Sequence, residues 1–400
     1  MYDAIVIGAR CAGSPTAMLL ARKGYQVLLV DRASFPSDIM STHVVKSPGG
    51  AKLKSWGLLD KVLDAARCPP IPRITLDLGA FSLTGSAPPA DGVEVDYSPR
   101  RTQLDKVLVD AAADAGVELR EGFAVEEIIT DGGRVSGIRG RSRGGTTGLE
   151  HARIVIGADG HHSILARSVE APTYNERPAL ACYYYTYWSG VPMKGAEMCP
   201  RDGRVVIAFP TNDDTVCILV GWRNREFQEY RSNIEDNYLR TLDLVPGLAE
   251  RVRAGGRREE RFVGTADLPN FFRKPYGAGW ALVGDAGLHK DPITAQGITD
   301  AFRDAELLAE AIDAGFSGTL PLDEALAGYE RERNEAATPI YELTCQLAAL
   351  EPLPPEMAQL FFALQGNQAQ TDRLIGAIVG TVPVQEFFSP ENVRQIVGRV

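Results

Sequence analysis

Three glycine-acid turns carry the residue types and spacings in this sequence that could do chemistry. Gly8 and Gly13 bracket the run G-A-R-C-A-G, Asp31 follows Gly8 by 31 − 8 = 23 positions, and Gly157-Ala158-Asp159-Gly160 and Gly284-Asp285 end two later apolar stretches. Residues 4–7 are apolar, and beyond the first turn Ala17, Leu20 and Ala21 fall at helical spacing. The first N–H groups of such a helix have no partners within it and lie at the positive end of its dipole, so they can hold a pyrophosphate without a lysine. Gly24 is expected to end that helix, 26–30 to form the next buried strand, and Asp31 to accept hydrogen bonds from a ribose diol. The expected dinucleotide contacts are Gly8, Arg10, Cys11, Ala12, Gly13, Asp31 and Arg32. Arg10 replaces the middle glycine of G-x-G-x-x-G, so its side chain must turn aside, into a charge-assisted bond with cofactor or substrate. The competing reading is an α/β domain with no ligand at that turn.

The elements that must position these turns follow from hydrophobic periodicity. Residues 51–63 read as one helix with Leu53, Trp56, Leu59 and Leu63 on one side, which puts 41–50 on a loop entering it. Residues 74–83 alternate as a strand would, 101–115 form a helix, and strands are expected at 117–119, 124–130, 135–139 and 154–156. From 173 to 275 aromatic and β-branched runs at 182–188, 205–209 and 216–222 predict an antiparallel sheet, with one helix near 234–242. A strand at 280–283, a helix at 298–314 and one or two helices over 323–349 complete the pattern before a proline-punctuated helical end. The predicted fold class is α/β: a discontinuous Rossmann-like domain (1–67, 98–172 and 276–330), an inserted antiparallel β-sheet substrate domain (68–97 and 173–275) and a C-terminal helical cap (331–400).

Composition narrows the function classes. Four hundred residues with 44% hydrophobic content can bury sizeable cores, and a net charge of −10 argues against nucleic acid, whose phosphates call for a basic face. The arginines at 139, 141, 143 and at 251, 253, 257, 258 read as solvated loops. Six scattered cysteines show no C-x-x-C pair and no accompanying His cluster, so neither a zinc site nor a disulfide framework is expected, and a reducing cytoplasm fits best. The first residues enter a strand directly, and no apolar run reaches membrane-spanning length, so a soluble protein without stable membrane insertion is expected, its oligomeric state left open.

In its three turns the chain resembles the flavoprotein monooxygenases of the p-hydroxybenzoate hydroxylase class and their relatives, the geranylgeranyl reductases. The resemblance covers the nucleotide-binding segments, roughly half the chain, and does not extend to the substrate domain. It implies that Gly8, Gly13 and Asp31 hold the ADP half of FAD and that Arg101, in R-x-x-L, reaches the flavin's phosphate or ribityl region. It implies further that Asp159 and Gly160 support FAD and a passing nicotinamide cofactor, and that Asp285, after Gly284, binds the ribityl chain. Pro292-Ile293-Thr294-Ala295-Gln296-Gly297 corresponds to the family's P-x-x-G-x-G with Ala295 in place of the first glycine, so the Gly297 and Ile298 N–H groups would face the flavin ring.

The flavin would supply the redox chemistry, and no catalytic triad or paired carboxylates are found. Catalytic candidates are His43 and Lys46, on the loop that the resemblance puts beside the ring, and His289, next to Lys290 in the segment approaching it. Tyr185, with Tyr183 as its rival, could line an aromatic pocket on one face of the run at 183–188. His161 and His162 would meet a nicotinamide phosphate or simply lie exposed. The activity implied is hydride uptake from NADH or NADPH, reaction with molecular oxygen to a flavin hydroperoxide, and hydroxylation of a small aromatic or polyketide-like substrate. The alternatives are a geranylgeranyl reductase-like enzyme reducing C=C bonds and a non-enzymatic flavin-binding protein. The W-x-W-x-I-P signature that a halogenase would carry is not found.

Overall fold

The computed structural model describes residues 1–398; residues 399 and 400, the end of the expected C-terminal helical region, lie outside the described residues. The Tyr2–Ile7 strand lies between Val27–Asp31 and Thr147–Gly157, parallel to both, and the sheet continues through Trp280–Leu282 on one side and Glu118–Glu121 on the other. All three glycine-acid turns therefore leave the same ends of three adjacent strands, where open α/β sheets bind ligands. Apolar runs without alternation make these strands, because helices cover the sheet; Ala4, Ile5, Val6 and Leu28 are all fully buried. A hairpin of Phe123–Asp131 and Arg134–Ser142 extends the Thr147–Gly157 strand as an antiparallel flap.

A second sheet contains Ala181–Ser189, Thr215–Arg223, Arg204–Pro210 and Ala196–Arg201 in antiparallel order, and Ile74–Asp77 and Ser82–Gly85 complete it at the far side. Period-two geometry splits the aromatic strand cleanly. Cys182, Tyr184 and Trp188 pack with Tyr230, Tyr238 and Leu248 from the helices that follow the sheet. Tyr183, Tyr185 and Tyr187 instead share a core with Val44, Phe209, Ile293 and the C-terminal residues Leu360, Leu374 and Phe387.

Several expected elements differ in the structure. The helix expected at 51–63 is two, Ser47–Ser55 and Leu59–Ala66, because the chain turns at Gly57, whose φ of +74° ends the first. The strand expected at 74–83 is a hairpin, since the turn at Gly79 folds Ser82–Gly85 back onto Ile74–Asp77. Residues Leu322–Ala348 form a single helix of 27 residues in spite of Pro339. Arg139 and Arg141 sit on a strand rather than a loop, paired across the hairpin with Glu127 and Glu126. Among the described residues no helix is long and apolar enough to cross a membrane, and the six cysteines are unpaired and buried.

Candidate active site

The three turns interlock through backbone. Gly8 has φ +103°, and a Cβ there would meet the Ala158 carbonyl oxygen at 2.5 Å, so the first turn lies directly against the second. Gly284 has φ +60°, and its Cβ would approach Ala12 Cβ at 2.7 Å and Ala301 Cβ at 3.7 Å. Ala12 caps the Gly13–Arg22 helix and Ala301 lies early in the Gly297–Phe316 helix, so the N-terminal ends of two helices flank the third turn. Neither helix has a side-chain cap, and the first has no acid in its opening turn. In the first helix the Ser14 N–H donates to the Arg10 carbonyl and Pro15 has none, so the Gly13 N–H, with those of Gly297 and Ile298 in the second, is left for an anion or for flavin oxygens.

The acids divide by environment. Asp31, 8% exposed, accepts the Ala9 and Ala33 N–H groups at 2.8 and 2.7 Å, so it braces the first turn. Arg32 and Asp285 are exposed. Asp159 accepts the Ile164 N–H at 2.8 Å through Oδ2, while its Oδ1 is buried without a partner, and burial raises its carboxyl pKa. Gly160 completes that turn with φ +81°. Free helix N-termini, the orphaned Asp159 oxygen and the exposed Asp285 suit a bound FAD.

Arg10 does turn aside, but onto protein. Its guanidinium donates to Asp105 at 2.6 Å and Ser37 at 2.8 Å and lies over Phe35. Asp105, fully buried, also accepts from Arg101 Nε at 2.9 Å and from Cys11 Sγ at 3.3 Å. It holds together three of the expected cofactor contacts and escaped sequence reasoning. Its spacing from Arg101, four residues along one helix, was the available signal. Burial raises the Cys11 thiol pKa, so that sulfur stays protonated.

The odd-numbered tyrosines of the Ala181–Ser189 strand meet loops of the first domain one after another. Tyr183 donates to Asp291 Oδ1 at 2.6 Å, Tyr185 Oη accepts the Ser41 N–H at 3.3 Å, and Tyr187 lies 3.0 Å from His43 Nε2. His43 Nδ1 faces the Ser98 carbonyl at 3.2 Å; a carbonyl only accepts, so Nδ1 carries the proton and Nε2 accepts from Tyr187. Burial, followed by the nearby Arg100 charge, pushes the His43 pKa down to about 3 and keeps the ring neutral. Lys46 is buried against Asp96 at 3.3 Å, and the same carboxylate accepts the Ser47 N–H at 2.7 Å. His43, Lys46 and Tyr185 thus share one region. His289 does not join them: it donates through Nδ1 to the Pro269 carbonyl and stacks between Phe271 and His161.

Asp291 was missed by sequence reasoning. Its Oδ1 also accepts the Ile293 N–H at 3.0 Å, its Oδ2 is buried without a partner, and burial pushes its pKa up to about 7. It opens the loop to Gly297 and Ile298 at the start of the long helix; Gly297 is exposed and Ile298 buried. Ala295 in that loop holds φ +53°, the left-handed conformation that the glycine in the family pattern would adopt freely. Beside this helix start lies a cleft of about 440 Å³, walled by Pro48, Pro339, Ile340, Ala377 and Val382. On its rim, Gln296 donates to the Ile378 and Val379 carbonyls.

A parallel sheet with three interlocked turns over two uncapped helices, carrying an inserted antiparallel sheet, is an arrangement that fits a bound FAD. The chain belongs to the FAD binding domain family, whose model matches residues 1–344. It is 31% identical over 332 residues to digeranylgeranylglycerophospholipid reductase 2 of Methanothermobacter thermautotrophicus, covering 78% of this chain and 79% of that one. It is 24% identical over 344 residues to tryptophan 2-halogenase of Chondromyces crocatus, covering 82% of this chain but only 64% of the relative's length. The fold matches that of PqsL of Pseudomonas aeruginosa, described as a probable FAD-dependent monooxygenase, with a TM-score of 0.71 at 21% identity, over 95% of this chain and 100% of that one.

Proposed function

We propose that this protein is a cytoplasmic monooxygenase that draws electrons from NADPH or NADH and hydroxylates a small aromatic or polyketide-like molecule held against the tyrosine face. The observation that carries this reading is the unequal use of the three phenols. Tyr183 and Tyr187 spend their protons on Asp291 and His43, whereas Tyr185 accepts from Ser41 and keeps its own proton to donate. Burial pushes the Tyr185 pKa up to about 12, so at neutral pH the proton is present. A phenol that donates from an aromatic wall suits a flat substrate bearing a carbonyl or hydroxyl acceptor. PqsL has been solved with 2-aminobenzoylacetate, a molecule of that kind.

In this reading the Gly8 to Gly13 turn and the Gly13–Arg22 helix hold the pyrophosphate, while Arg101 and Asp285 hold the ribityl region. The N–H groups of Gly297 and Ile298, at the positive end of the long helix, would offset negative charge on a flavin bound there. Bound FAD supplies hydride acceptance and the activation of oxygen. The protein's part is to orient: His43 and Asp291 fix the loops on either side of Tyr185, and the C-terminal helices exclude water from the tyrosine face. Six unpaired buried thiols suit the reducing cytoplasm.

A second reading, a reductase of prenyl double bonds, is favoured by the 31% identity to the digeranylgeranylglycerophospholipid reductase and by the cleft beside the helix start, whose Pro48, Pro339, Ile340, Ala377 and Val382 offer an apolar strip beside the charged Lys52, Asp300, Arg303 and Glu335. Anaerobic reduction of the FAD-loaded protein by NADPH or NADH, followed by air and a panel of aromatic acceptors with and without bromide, separates the readings. Substrate-stimulated oxygen uptake with oxygen-18 from O₂ in the product is the expected result. Air-stable reduced flavin that is reoxidised by a prenyl alkene assigns the reductase, and halogen in the product assigns a halogenase. Tyr185→Phe is expected to lower kcat/KM about tenfold, the loss of one hydrogen bond to substrate, with a small fall in melting temperature because the Ser41 N–H loses its acceptor. Unaltered kinetics remove Tyr185 from the site.

A further inference from the structure

His161 and His162 follow the Asp159 turn, and neither is used in the chemistry above. Their Nε2 atoms converge on one carboxylate oxygen, Asp267 Oδ2, at 3.4 and 2.9 Å, and the three ligand atoms lie within 4.8 Å of one another. The neighbouring ligands of a tetrahedral metal at bond lengths of about 2.0–2.2 Å stand about 3.3 Å apart, so this triangle needs only a small adjustment to close on an ion. We infer that His161, His162 and Asp267 form a binding site for a nitrogen-preferring divalent transition metal of the Zn²⁺ class, with water completing the shell.

Further features support the assignment. The imidazole rings of His161 and His162 are 3.9 Å apart by centroid, and His289 stacks behind His161 at 4.7 Å, which limits its rotation. The guanidiniums of Arg273 and Arg167 donate to the carbonyls of His161 and His162 and fix the backbone between them. The ligand set, two imidazoles and one carboxylate, weighs against Mg²⁺ and Ca²⁺, which bind through several oxygens, and suits the imidazole-seeking metals. Asp267 lies between the strands Val263–Thr265 and Asn270–Arg273, whereas the histidines follow the Thr147–Gly157 strand of the central sheet. A bound ion would therefore cross-link the inserted region to the turn that carries Asp159.

The test uses tag-free, chelator-stripped full-length protein titrated with Co²⁺, read by its visible d–d absorption, and with Zn²⁺, read by calorimetry. One equivalent per chain, a rise in melting temperature on loading, and affinity about tenfold or more weaker in both His162→Ala and Asp267→Asn are expected. Both side chains are exposed, so the variants should retain far-UV circular dichroism and FAD content. No saturable binding, or one equivalent bound equally by both variants, overturns the site without touching the flavin reading.

Discussion

The turns at Gly8, Ala158 and Gly284 meet through backbone and methyl groups, whereas the tyrosine strand meets its loops through ordered side-chain hydrogen bonds. The first construction leaves main-chain N–H groups free and so produces a general dinucleotide cradle. The second consumes its polar groups internally and leaves one phenol proton over. Binding in the first region is a property of chain conformation; in the second, what distinguishes the three phenols is which one is left with an unspent proton. The two ends of the tyrosine row also contrast, since Tyr183 meets an acid and Tyr187 an imidazole, both buried.

The largest expected break falls on Asp105. Asp105→Ala strands the side chains of Arg10 and Arg101, which are 19% and 11% exposed, and should cost about 3–5 kcal/mol in urea unfolding as well as FAD occupancy. Unchanged stability would show that the three contacts do not depend on it.

The next effects come from pH. Asp291 titrates at about 7 folded and about 4 unfolded, so its contribution is present below pH 4 and lost as pH rises to 7. His43 titrates at about 3 folded against 6.5 unfolded, so its contribution is present above pH 6.5 and lost as pH falls toward 3. The slopes oppose one another between about pH 4 and 6.5. Asp291→Asn should leave stability rising with pH in that window, and His43→Asn, which tolerates φ +38°, should leave it falling. Denaturation curves that keep the wild-type slope in both variants would refute the opposition.

Within the cradle, Asp285→Ala should weaken FAD retention about tenfold with a melting temperature close to wild type, whereas Asp31→Ala, which frees two backbone donors, should lower both. Equal behaviour of the two variants would erase the distinction between ligand contact and brace. The smallest effect is expected at Ala295, where glycine should raise stability by up to about 1 kcal/mol by relieving the left-handed alanine.

Legibility in the sequence followed the range of the interaction. Strand, turn and helix around Gly8 were readable because apolar spacing and glycine act within a few residues, and the 234–242 helix was found for the same reason. Gly57 and Gly79 act locally too, yet the apolar pattern runs on through both, which hid a helix break and a hairpin turn. Asp105 with Arg10, Asp96 with Lys46 and Asp291 with Tyr183 join positions 95, 50 and 108 residues apart, and no periodicity records such partners. The tyrosine alternation was visible; which face turned toward His43 was decided by the docking of distant loops.

The row of phenols also constrains how this scaffold can diversify. Because Tyr183 and Tyr187 serve as anchors for the neighbouring domain, descendants cannot exchange them freely to accept new molecules without loosening the joint. Resizing is more cheaply absorbed on the other side of that core, where Leu360, Leu374 and Phe387 contribute only bulk.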